Sequence, residues 1–110
     1  MKLPGGDNAI VDIQKLVGYC LDPEHPRGKH KARVFAQALG FTAANADQLR
    51  NALLAAAKHE DAEPTVSDAY GQRFVIEFKA IGPKGSGIVR SSWILRTGEA
   101  TPRLTTCYVK

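Results

Sequence analysis

No stretch of this sequence approaches the roughly 18–20 continuous apolar residues that a membrane-spanning helix needs. Met1–Gly6 has no apolar run behind it, so no secretory leader is expected. A cytoplasmic location without a membrane partner is the expectation. Cysteine is scarce. Cys20 and Cys107 stand far apart, and neither belongs to a paired metal-ligand spacing. Both lie among apolar residues, so buried free thiols are expected, with a disulfide only if the domain is exported. No metal and no cofactor are expected. Gly82–Gly87 is glycine-rich, but it lacks the lysine-serine ending of a nucleotide-binding loop and precedes no helical pattern. There is no Gly-x-Ser-x-Gly elbow, no internal repeat and no low-complexity segment.

What is present suits one globular domain over residues 1–110, with a helical part at about 12–60 and a sheet part at about 70–110. The hydrophobic fraction is 44% and the charged fraction 24%, enough apolar residues to build a core without staples. The net charge is +4, and it is unevenly spread. Residues 1–40 hold six Lys/Arg against four Asp/Glu, residues 41–70 two against five, and residues 71–110 seven against two. An acidic middle between basic flanks suits a protein that presents a positive face to a polyanion.

The periodicity predicts three helices and then strands. Ala9–Val11 reads as a short extended piece, and Asp12 as the N-cap of a helix from Ile13 to about Leu21 with Ile13, Leu16, Val17 and Cys20 in its apolar stripe. Asp22-Pro23 ends it. A second helix runs from about Lys29 to Leu39 on Ala32, Phe35, Ala36 and Leu39, closed by Gly40 with Phe41 folding back. A third covers roughly Ala44 to Lys58 on Leu49, Ala52, Leu53 and Ala56, capped by Thr42 or Asn45. From Tyr70 the period becomes two. Phe74, Ile76, Phe78 and Ala80 share a face, as do Val89, Ser91, Trp93 and Leu95, leaving Ile88, Arg90, Ser92, Ile94 and Arg96 opposite. Gly82–Gly87 connects these strands, and Leu104–Val109 makes the last. Helices before an antiparallel meander give an α+β fold: two to three N-terminal helices on a three- to four-stranded antiparallel sheet, with one sheet face left open.

The densest chemistry is His25-Pro26-Arg27-Gly28-Lys29-His30-Lys31-Ala32-Arg33, at the start of the second helix. A helix start with free backbone N–H groups and surrounding cations suits a phosphate. His25 and His30 are candidates for proton transfer near neutral pH. Lys31 and Arg90 are candidates for stabilising phosphate charge, and Arg27, Lys29, Arg33, Ser92, Arg96, Thr106 and Tyr108 for binding substrate. Alternation places Thr106 and Tyr108 together, opposite Thr105. Trp93 is expected in the core between Val89 and Leu95.

The run Tyr19–Phe35, followed by Leu39-Gly40-Phe41, resembles a bacterial family of small domains of unknown function. Tyr70-Gly71, Val89-Arg90-Ser91-Ser92-Trp93 and Pro102-Arg103-Leu104-Thr105-Thr106 resemble its C-terminal half. Such domains stand alone or form the C-terminal tips of large secreted toxins. Helices followed by an antiparallel sheet are also similar to the barnase–EndoU–colicin–RelE group of metal-independent ribonucleases. The resemblance adds weight to His25, Lys31 and Arg90. It implies a metal-independent endoribonuclease toxin that cleaves RNA by 2′-hydroxyl attack, with a neutralising antitoxin or immunity protein as partner. The rival expectation is a non-catalytic module that binds protein or nucleic acid in a bacterial two-protein system.

Overall fold

The computed structural model describes residues 1–110. After a 3₁₀ turn at Gly6–Asn8, α1 (Ile13–Lys15) widens into a π turn, Leu16–Cys20. Then α2 (Lys29–Val34) widens in the same way at Phe35–Leu39, and a 3₁₀ turn at Ala43–Asn45 leads into α3 (Ala46–His59). The strands follow as β1 (Glu63–Asp68), β2 (Gly71–Gly82), β3 (Gly85–Arg96) and β4 (Arg103–Val109). They form one antiparallel sheet in the order β1-β2-β3-β4, so the fold is α+β.

Local chemistry accounts for most element ends. The Asp12 carboxylate accepts the Gln14 amide at 2.9 Å, capping α1. Thr42 Oγ1 accepts the Ala44 amide while Asn45 Oδ1 accepts the Thr42 amide, so both expected caps act together. Gly40 takes φ +79°, a left-handed conformation that brings Phe41 back to full burial. Its amide reaches the Phe35 carbonyl five residues back at 2.9 Å, as the Leu21 amide reaches Leu16 at 2.7 Å. These two π-type closures end the first two helices.

The helices cover one sheet face: α3 lies on β2, the second π turn on β2 and β3, and α2 on β4. Leu16, Cys20, Phe35, Leu39, Leu49 and Leu53 meet Ile76, Val89, Trp93 and Cys107 there, all fully buried. The buried Ser91 hydroxyl is not an orphan. It donates to the Ile76 carbonyl and accepts from Trp93 Nε1, both at 2.9 Å.

Four details depart from the sequence expectation. Ile13 stays partly exposed at the start of its helix. The hairpin is tighter than Gly82–Gly87, because Gly82 pairs with Gly85 across the two-residue turn Pro83-Lys84, and the Lys84 amide docks on the Leu39 carbonyl at 3.1 Å. β1 carries no alternation, since all six residues are exposed on an edge strand that tolerates Pro64. Ile94, expected on the open face, is buried. There the chain start wraps the sheet: Ile10 bridges Arg103 in parallel, and a bulge between Ser92 and Trp93 shifts the β4 register. No helix is long and apolar enough to cross a membrane.

Candidate functional site

The loop between α1 and α2 is built around His25. Its Nδ1 accepts the amides of Arg27 at 3.0 Å and Gly28 at 3.1 Å, and its carbonyl accepts the Lys29 amide at 3.0 Å. An imidazole nitrogen that accepts two N–H bonds carries no hydrogen, so the ring proton sits on Nε2. Gly28 is required here, because a Cβ would press against the Tyr19 carbonyl. The His25 ring packs edge-on against Tyr19 with centroids 4.7 Å apart. The sequence expectation of free amides at the start of α2 is thus corrected at Arg27, Gly28 and Lys29. His25 itself occupies those three, and the His30 and Lys31 amides of the first turn are left without a partner.

Lys31 joins this loop to the sheet. It projects from the partly buried side of α2, with Nζ 5.2 Å from the Tyr108 ring centre and 5.9 Å from that of Tyr19. Tyr108 lies opposite Arg90 in the register of β3 and β4, and Thr106 lies opposite Ser92. Cross-strand partners share a face, so Arg90, Ser92, Thr106 and Tyr108 line one side of the sheet. Four expected residues therefore share one face, Arg90, Ser92, Thr106 and Tyr108, and Lys31 reaches the Tyr108 ring. His25 reaches them through Tyr19, which local pattern did not single out because it lies outside the apolar stripe of α1.

Arg90 is already engaged. Its guanidinium lies 3.0 Å from Glu77, which Lys110 also contacts at 3.0 Å. These two cations hold the Glu77 carboxyl below the usual glutamate range, with the Lys110 bond the larger cause. A depressed carboxyl stabilises the fold above its unfolded pKa, and that contribution disappears as pH falls through the folded value. Glu77→Gln should therefore lower Tm slightly at pH 7, and the difference should fade as pH falls below the usual glutamate range and through the folded value, as thermal melts across that range will show. The effect is small because the pair is solvent-exposed.

Other expected residues lie elsewhere. His30 and Arg27 are exposed, and Lys29 is half-buried. Arg33 follows Lys31 by two positions and so turns to the far side of α2. There Arg33 and Gln37 border an apolar groove of about 320 Å³ with Leu21, Pro23, Ala36 and Phe41. Arg96 is the last residue of β3, beyond mid-strand Arg90, and borders a small cavity of about 130 Å³ that it lines with Lys15, Arg103, Asp12 and Thr105. Glu99 partly neutralises it, 4.0 Å from Arg96 and 3.4 Å from Arg103. Lys15 and Arg103 were not legible as partners of Arg96, since the Ile10–Arg103 bridge beside α1 joins residues far apart in the chain.

The Lys31 ammonium, beside the Tyr19 and Tyr108 rings, can meet an anion, whereas the Arg90 guanidinium lies on Glu77 and shares a cavity of about 200 Å³ with Asp61, Glu63 and Glu77. No curated protein matches the chain. Residues 2–110 match the family described as Domain of unknown function (DUF6883), and the chain belongs to that family.

Proposed function

We propose that this domain acts on RNA, and that its activity is metal-independent cleavage by attack of a ribose 2′-hydroxyl on the adjacent phosphate. The observation that carries the reading is the position of Lys31, whose ammonium group stands between the rings of Tyr19 and Tyr108 and on the side of β4 that carries Thr106. A cation flanked by aromatic faces serves both parts of a nucleotide, charge for the phosphate and a stacking surface for the base. Lys31 stabilises the negative charge that builds on the phosphorane. His25 donates a hydrogen bond from Nε2–H to a phosphate oxygen and holds the loop in place. Tyr108, which shares the face of Arg90, donates its phenolic proton to the departing 5′-oxygen, and the 2′-hydroxyl proton passes to water. Arg96, Arg103 and Lys15 extend positive charge along β4 toward flanking phosphates.

Incubating the purified chain with total RNA in EDTA tests this. Discrete fragments ending in cyclic phosphate are expected, and Tyr108→Phe should slow their appearance by about 10²-fold or more. RNA left intact over a broad pH range would end the catalytic reading. As a toxin, the domain should arrest bacterial growth when expressed without a neutralising protein.

A second reading is favoured by the apolar groove bordered by Arg33 and Gln37. There the domain is a non-catalytic module, and an acidic partner segment seats its apolar side chains in the groove. It predicts healthy overexpression, intact RNA, and a partner affinity that charge reversal at Arg33 weakens.

A further inference from the structure

Three cations from three elements converge at the start of β4. Lys15 comes from α1, Arg96 from the end of β3 and Arg103 from β4 itself, and they line one cavity of about 130 Å³ with Asp12 and Thr105. Their charges are poorly matched by the fold. Glu99 meets only the Nη2 corner of Arg103, at 3.4 Å, and Arg103 Nε is buried without an acceptor. Glu99 also stands 4.0 Å from Arg96, beyond hydrogen-bond range, and no ion pair involves Lys15. The other carboxylate, Asp12, spends one oxygen on the Gln14 amide of its own helix.

We propose that this cavity is a second phosphate subsite, in which Lys15, Arg96 and Arg103 hold one tetrahedral phosphate and Glu99 competes with it for the two arginines. The phosphate is one of an RNA backbone, which rests on the RNA reading above, and it belongs to the same strand that reacts at Lys31. The volume suits a single phosphate and falls below the roughly 300–1,000 Å³ of sites that enclose a whole small molecule. Guanidinium forks match the paired oxygens of a phosphate. The Thr105 hydroxyl already donates to the Ser92 carbonyl at 3.1 Å, so the cations alone hold the ligand.

Position along β4 separates this subsite from the reacting centre. Arg103 pairs with Ile94 and Tyr108 with Arg90, so both lie on the same face of the sheet. They are five residues apart, about 17 Å at about 3.4 Å per residue. That distance puts a neighbouring phosphate of the RNA strand in the cavity, not the reacting one. RNA too short to span both places gains nothing from the subsite. Glu99 sits in the turn after β3, beside Gly98, whose surroundings are open, so its carboxylate can swing away as phosphate enters.

Thermal melts of the full chain in inorganic phosphate, against sodium chloride of equal ionic strength, read the subsite without RNA. Phosphate should raise Tm by about 4 °C at saturation, and chloride should not. Arg96→Met should weaken the apparent phosphate Kd about tenfold, and Glu99→Gln should tighten it about threefold. Lys15→Met, at an exposed helix position, repeats the test if the Arg96 variant does not fold. RNA carrying 2′-O-methyl groups cannot follow the proposed cleavage route, and so reports the source of the phosphate. Arg96→Met should weaken binding of such a hexamer about tenfold and leave that of a dinucleotide unchanged. A phosphate response equal to that of chloride, or one indifferent to both Arg96→Met and Glu99→Gln, would overturn the subsite. A phosphate response with no difference on the hexamer would overturn RNA as its source and assign free phosphate instead. Loss of the cleavage reading leaves all of these readouts untouched, so the two proposals fall separately.

Discussion

Lys31→Met is expected to lower RNA cleavage by about 10²–10³-fold while the fold survives. A preorganised cationic or hydrogen-bonding group aimed at charge that develops in the transition state is worth about 2.7–4 kcal/mol in comparable sites. Methionine keeps an unbranched stem against Tyr19 and Tyr108 but carries no charge. The structural loss is the cation–π contact, about 0.5–1 kcal/mol at a partly exposed position. Catalysis and stability should therefore separate. kcat/KM on a short oligonucleotide should collapse, and the thermal melt should shift by only a few degrees. Arg33→Met is the matched control, because Arg33 faces the groove on the other side of α2. An undiminished rate in Lys31→Met, or an equal loss in Arg33→Met, would remove Lys31 from the reaction.

Trp93→Ala should cost about 3–5 kcal/mol, the usual range for deleting a buried large aromatic. Trp93 is fully buried at the centre of the sheet, opposite Phe74 on β2 and Leu104 on β4. Its removal opens a cavity and also takes a donor from the Ser91 hydroxyl. For a domain of this size the loss corresponds to a fall in Tm of about 15–30 °C, a large part of the total stability of an ordinary domain. Ser91→Ala should cost less, about 1–3 kcal/mol, by leaving the indole N–H buried without an acceptor. Urea titrations of both variants against wild type provide the comparison. A Trp93→Ala protein as stable as wild type would show that the helices do not close over the sheet as described.

Much of the architecture was readable because its cause is local. Ala32, Phe35 and Leu39 repeat at helical spacing, and Phe74, Ile76, Phe78 and Ala80 alternate, so each segment declares which face it buries. Asp12 and Gly40 act on neighbouring backbone and were legible for the same reason. β1 was hidden because both of its sides face solvent, which leaves no pattern to find. The length of the hairpin was hidden because Pro83-Lys84 is only part of a longer glycine-rich stretch. Register follows from that turn: pairing Gly82 with Gly85 sets Glu77 against Arg90, and so decides that Arg90 is shared with a carboxylate.

Window-scale pattern by itself determined the order of the three helices and of β2, β3 and β4, and with it the α+β class, because periodicity and caps act over a few residues. Only the tertiary structure decided that Lys31 lies beside Tyr19 and Tyr108, that His25 spends Nδ1 on its own loop, and that Cys20 approaches Thr106. Those neighbours come from the docking of α1 and α2 against β4. Docking is selected by the fit of many side chains across the whole core, which no short window of sequence contains.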